Sequence, residues 1–187
     1  METQTGINQN AEPTYPIRPQ PARPRVGPAA AILCLLLAFP LNVFAGDKAD
    51  LVLVNKSERK LYLKAGDKIL KTWPVVFGAN PVGHKQQEGD ERTPEGRYLL
   101  DWKKSDSAFY KAIHISYPNE QDKKAAAERG VSPGGAIMIH GQPNGYGGLA
   151  FIMQRFDWTD GCIAVTNEAM DEIWEAVPEG TPIEILP

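Results

Sequence analysis

Cysteine is scarce in this 187-residue chain, and histidine nearly so. There are two cysteines, Cys34 and Cys162, and three histidines, His84, His114 and His140. They do not recur at metal-ligand spacing, so we expect no metal and no cofactor. A basic excess is missing too. Twenty Lys and Arg against 23 Asp and Glu give a formal charge of −3. A nucleic-acid surface normally announces itself as surplus positive charge, so no nucleic-acid partner is expected. No phosphate-cradling glycine loop, dinucleotide fingerprint or internal repeat is present. The one long apolar stretch, residues 29–45, is interrupted by Pro40 and Asn42. It is short for a membrane span.

What precedes that stretch is polar and proline-rich. Pro13, Pro16, Pro19, Pro21, Pro24 and Pro28 argue against helix or sheet over residues 1–28. Proline fixes φ and removes a backbone donor. Arg18, Arg23 and Arg25, then the apolar run from Ala29 to Phe39, then Val43-Phe44-Ala45, follow the order of a secretory signal. We expect residues 1–45 to be a leader cleaved after Ala45, with an uncleaved membrane anchor as the alternative. Residues 46–187 would then be one exported, periplasmic domain. Cys34 departs with the leader, leaving Cys162 as the lone thiol. Such a thiol is a small buried hydrophobe, a partner for another chain, or a reactive group.

The remaining sequence is written mostly in strand patterns. Asp50 to Asn55 and Lys60 to Lys64 are short apolar runs joined by turn residues, the signature of a hairpin. Ile69 to Phe77 keeps strand character with a break at Pro74. Residues 82–96, rich in glycine, proline and charge, read as a loop. Arg97 to Trp102, Ala112 to Tyr117, Ala136 to His140 and Pro182 to Leu186 supply further strands. Two helices are expected. One runs from Gln121 to Arg129 and is closed by Gly130; the other runs from Asn167 to Val177, with Met170, Ile173, Trp174 and Val177 on one face. Many short strands and few short helices predict a mostly-β fold, a single sandwich or barrel-like domain.

Cys162 lies in Asp157-Trp-Thr-Asp-Gly-Cys-Ile163, and His140 ends a strand before Gly141. A catalytic thiol needs a base, most often histidine. Glycines beside both residues let a substrate backbone come close and let main-chain N–H groups turn toward an oxyanion. The pair alone is weak, since a strand-end histidine is more often a satisfied polar group.

Ordered motifs extend the argument. Ile139-His140-Gly141, Thr159-Asp-Gly-Cys-Ile163 and Asn167 follow one another, with Cys162 22 residues after His140. Upstream stands Thr93-Pro-Glu-Gly-Arg-Tyr98. Together they resemble the L,D-transpeptidase (YkuD-type) catalytic domain family over roughly residues 50–187. The resemblance implies a β-rich fold and a peptidoglycan-directed cysteine acyltransferase serving cell-wall biogenesis and cell shape. Such an enzyme attacks the carbonyl of a stem-peptide diaminopimelate, releases D-Ala and holds a thioester. An amine acceptor on a peptide or protein then resolves it. Carried onto this chain, the resemblance implies Cys162 as nucleophile, His140 as base, and Gly161 with the Cys162 N–H at the oxyanion. The candidate substrate-binding residues are His114, Gly141, Tyr146, Thr159 and Asp160. For His114 an ordinary strand position stays open, for Tyr146 a plain turn, and for Thr159 a structural role.

Two positions depart from the family pattern. Ala164 stands where members commonly carry Arg two residues after the cysteine, a side chain suited to gripping a carboxylate. Asp160 stands where the residue before the glycine is often basic, and an acid beside a thiolate raises its pKa. These changes keep two alternatives in view: a peptidoglycan hydrolase or amidase on the same scaffold, and a catalytically silent wall-binding module.

Overall fold

Alternation of buried and open residues organises the first strands. In β1 (Leu51–Asn55) the side chains of Val52 and Val54 are fully buried, and in β2 (Lys60–Ala65) those of Leu61 and Leu63 are nearly so. The two strands pair antiparallel, Val54 opposite Leu61. The computed structural model describes residues 48–187, so the leader expected at 1–45 lies outside the described residues. The hairpin turn is made by the Asn55 carboxamide oxygen, which accepts from the Glu58 N–H at 3.0 Å and the Ser57 hydroxyl at 2.7 Å.

β3 (Lys68–Pro74) pairs antiparallel with β2 and stops at Pro74, which cannot donate to a ladder. The later strands are β4 (Gly96–Lys104), β5 (Ala112–Ile115), β6 (Met138–His140), β7 (Ile163–Ala164) and β8 (Thr181–Leu186). They assemble in the order β3-β2-β1-β8-β4-β5-β6-β7. The β1–β8 and β6–β7 pairs are parallel and the rest antiparallel. Beyond Pro74 the chain crosses to the far edge of the sheet. Val76 exchanges hydrogen bonds of 3.0 and 2.9 Å with Ala164, and Gly78 bridges to Thr159. The eight-stranded sheet therefore curls until its edges are tied. That closure is the physical form of the barrel-like, mostly-β expectation.

The core fills the curl. Leu100, Ile113, Ile115, Ile139, Ile163 and Ile183 are fully buried, and each such side chain contributes roughly 1.5–3 kcal/mol. Helix α1 (Glu120–Glu128) is started by a reciprocal cap, Asn119 accepting from the Asp122 N–H and Asp122 accepting from the Asn119 N–H. Two short elements were not expected in the glycine-rich stretch after His140: a 3-10 turn at Gly147–Leu149 and α2 (Ala150–Met153). Helix α3 (Asn167–Ala176) lays Ala169, Met170 and Ile173 on the core. Its cap is Thr166, whose hydroxyl accepts the Ala169 N–H at 3.2 Å, so the Asn167 side chain is left for other work. Among the described residues no helix is long and apolar enough to cross a membrane.

Candidate active site

Register brings the motifs together. Across β5, β6 and β7, Ile113, Ile139 and Ile163 line up on the core face, all fully buried. Residues paired in register share a face, so their sequence neighbours line up on the other one. There Ala112, His140 and Ala164 form one row. His114 and Met138 form the next, and Cys162, one residue before β7, completes it. The first row is closed over, with each member at most 2% exposed. The second row stays partly open. Cys162 thus sits on the open row, diagonally beside His140 on the covered one.

His140 is held as a neutral imidazole. Its Nδ1 lies 2.7 Å from the Gly141 carbonyl, which can only accept, so Nδ1 carries the hydrogen and Nε2 keeps a lone pair. The Phe109 ring packs on the imidazole at 4.2 Å, and the Trp158 ring stands edge-on at 5.8 Å. Burial pulls the imidazole pKa down to about 4, against the opposing pull of the Gly141 carbonyl. Gly141 must be glycine because its surroundings are close. A Cβ there would fall 2.7 Å from both the Tyr110 carbonyl and Asn167 Oδ1. The same Asn167 oxygen accepts the Gln142 N–H at 2.9 Å, so Asn167 braces the loop that follows His140.

Cys162 rides on a turn built by Thr159. Its hydroxyl donates to the Cys162 carbonyl at 2.8 Å and accepts the Gly161 N–H at 3.2 Å. Gly161 has φ of +125°, and a Cβ on it would lie 2.5 Å from the Arg92 carbonyl. That carbonyl is delivered by a loop organised around Asp90. The Asp90 carboxylate accepts from the N–H groups of Gln86 (2.7 Å), Gln87 (3.1 Å) and Arg92 (3.1 Å) and from Lys85 Nζ (2.8 Å). Burial alone would raise its pKa, but these donors bring it down to about 2. Thr93 continues the wall, its hydroxyl accepting the Gly78 N–H at 3.4 Å. Lys56 then ties the Thr93 carbonyl (3.3 Å) to Glu95 (2.7 Å). The upstream Thr-Pro-Glu-Gly element is the back wall of the cysteine turn. On the other side Asp157 takes both guanidinium nitrogens of Arg59 at 2.8 Å and the Phe77 N–H at 2.8 Å.

The Cys162 sulfur lies 3.7 Å from the Ala136 carbonyl, to which its S–H donates. Burial pushes the thiol pKa up, and Asp160 pushes the same way; a Met138 N–H and the Lys85 charge oppose them. At neutral pH the pair is therefore thiol and imidazole, not thiolate and imidazolium. Iodoacetamide should accordingly label Cys162 at pH 7.5 about ten-fold more slowly than free cysteine. Labelling should accelerate as the pH passes 9; a rate already maximal at pH 7 would contradict this.

The other expected residues take varied places. Thr159 supports the turn, and Asp160 is exposed next to the thiol. His114 lies on the open row, with Met138 between it and Cys162. Tyr146, 54% exposed, stands at the start of the 3-10 turn. Ala164 is fully buried in the row of His140. Phe109, Lys85 and Trp158 were not singled out as site residues from the sequence. They converge from separate segments, and no local pattern marks them. Among the described residues no group of His, Cys, Asp and Glu could hold a metal ion.

Comparison with known proteins agrees with this fold. The YkuD family, described as the L,D-transpeptidase catalytic domain, matches residues 49–185. YafK of Escherichia coli (strain K12), whose designation as an L,D-transpeptidase is provisional, is 34% identical over 128 residues, 65% of this chain and 44% of YafK. The helical cell shape determining protein Pgp2 of Campylobacter jejuni is 28% identical with a TM-score of 0.55, over 75% of this chain and 52% of Pgp2. Bd1075 of Bdellovibrio bacteriovorus is 26% identical with a TM-score of 0.51, over 73% of this chain and 47% of Bd1075. The chain spans about half the length of these relatives. With the match running through nearly all the described residues, the chain belongs to the YkuD family of L,D-transpeptidase catalytic domains.

Proposed function

We propose that residues 46–187 form one exported domain that acts as a cysteine acyltransferase on peptidoglycan stem peptides. The observation that carries the reading is His140 Nδ1 bonded to the Gly141 carbonyl, which leaves the Nε2 lone pair on a residue diagonal to Cys162 across the β6–β7 ladder. Nε2 takes the thiol proton as the sulfur attacks the carbonyl of the stem-peptide diaminopimelate. The oxyanion is received by the Cys162 N–H, while the Gly161 N–H, engaged by Thr159, keeps the turn in shape. Collapse breaks the amide C–N bond, and His140 returns the proton to the departing D-Ala amine. A thioester on Cys162 remains. An acceptor amine attacks it, forming a new amide and restoring the thiol. Asp160, Tyr146 and the Gly141 main chain are the proposed contacts to the stem peptide. The arginine-then-apolar order ahead of Ala45 supports export to the periplasm.

Ala164 favours a second reading. With no cation in the row of His140, the site lacks the usual grip on a substrate carboxylate, and water in the acceptor's place would make the enzyme a hydrolase of cross-links or tethers. Full-length protein and Cys162→Ala incubated with tetrapeptide-stem muropeptides separate the readings by intact mass and product analysis. A Cys162-dependent thioester, loss of D-Ala and new linked products are expected. Cleavage of supplied dimers without new links would move the assignment to hydrolysis. No Cys162-dependent change would leave a silent binding module.

A further inference from the structure

The ladder between β4 and β5 contains a bulge on the same face as the thiol. Leu100 pairs with Ile115 and Lys103 with Ile113, so two residues of β4, Asp101 and Trp102, oppose the single residue His114 of β5. A bulge of this kind re-aims side chains. Here both act on one imidazole. Asp101 Oδ1 lies 2.7 Å from His114 Nδ1, and the Trp102 ring stacks on the imidazole at 4.7 Å and 11°. A carboxylate that accepts fixes the hydrogen on Nδ1, which leaves Nε2 with a lone pair. Unlike His140, this imidazole is reachable: the side chains of His114 and Asp101 are 16% and 38% exposed.

Its position relative to the nucleophile follows from register. His114, Met138 and Cys162 occupy one open row across adjacent strands. Two strand spacings place His114 about 10 Å from Cys162 across Met138. An acyl group on the sulfur and a nucleophile attacking it fill a gap of that size. His140 sits on the covered row behind the thiol, walled by Phe109 and Trp158. The site thus holds two imidazoles, each with Nδ1 engaged, in adjacent rows of one sheet face.

Taking the acyltransfer reading above as its basis, we propose that His114, held by Asp101 and Trp102, is the general base of the second half-reaction. His114 Nε2 removes the proton from the incoming amine, or from water, as it attacks the thioester carbonyl. The new C–N or C–O bond forms and the C–S bond breaks. Cys162 leaves as thiolate and regains a proton from the His114 imidazolium through solvent, so no proton is gained or lost. His140 serves the first half-reaction and His114 the second.

The test separates the two half-reactions in full-length protein, with tetrapeptide-stem muropeptide as donor. Thioester formation and thioester decay are followed by quenched intact mass. For His114→Gln, decay should slow roughly 100-fold more than formation, so the acyl-enzyme accumulates. Asp101→Asn, a surface change that keeps the side-chain shape, should show the same imbalance at about ten-fold. It also serves if the first variant folds poorly. Equal slowing of both steps would mean a structural role and overturn the inference, as would decay at the wild-type rate. Absence of any thioester in the wild-type chain would instead overturn the acyltransfer reading, and this inference with it.

Discussion

Replacing His140 with alanine is expected to cut the rate of Cys162 acylation about a thousand-fold. The thiol pKa is raised by burial, so the sulfur does not ionise unaided at neutral pH. On the proposed mechanism, His140 is the means of removing the proton. The same substitution should also change how stability responds to acid. The pKa of His140 falls from an ordinary 6.5 to about 4 in the fold. Below pH 6.5 the unfolded chain takes up a proton that the folded one refuses until about pH 4. Stability is therefore full above 6.5 and falls through that window, by on the order of 3 kcal/mol. Asp90, held down at about 2, begins to lose its contribution only below its ordinary 3.8, so the two windows do not overlap. Urea unfolding of the wild type at pH 7 and pH 4.5 should show the loss, and His140→Ala should flatten it. Equal slopes in both proteins would contradict the assignment.

Gly161→Ala should be the most damaging change of a single methyl group. The residue's φ of +125° is a backbone region that side chains rarely enter, at a cost of roughly 1–3 kcal/mol. The added carbon would also meet the Arg92 carbonyl at 2.5 Å, an atom that cannot swing away because Asp90 holds its loop. We expect about 3 kcal/mol of destabilisation and at least a hundred-fold loss of acylation, since the cysteine turn must distort. Gly148→Ala is the control: nothing lies within 4 Å of the added atom there. It should shift the unfolding midpoint little. If the two variants melted alike, Gly161 would not be the pinned residue described here.

Features that live in a few consecutive residues were legible in the sequence. The first hairpin, the helix closed by Gly130 and the amphipathic α3 follow from alternation, turn chemistry and helical spacing, and each lies where expected. β7 was not legible, because two residues make no pattern and its existence depends on β6 and Val76. Nor was α2, which follows a run of glycines. The cysteine and histidine were recognisable from their motifs, but their shared face comes from the register of β6 against β7. The Asp101–Trp102–His114 cluster was hidden for a different reason. Alternation assigns one partner per residue, and a bulge breaks that count. The lone His114 was in view, while the two side chains that define its chemistry were not.

The position of β8 bears on when the domain can form at all. Residues 181–186 run between β1 and β4, parallel to one and antiparallel to the other. A chain lengthening from its N-terminal end can close the β1–β2–β3 meander early and begin the β4–β5 pairing. It then carries two open sheet edges facing each other with nothing to bridge them. The last ladder requires partners more than 125 residues apart, Val52 with Ile183, a closure that is slow on entropic grounds. Until it happens β1 and β4 share no neighbour. A sheet of this order is joined across its middle by the strand most distant in sequence from its first partner, so the two halves of the fold share a neighbour only once β8 is in place.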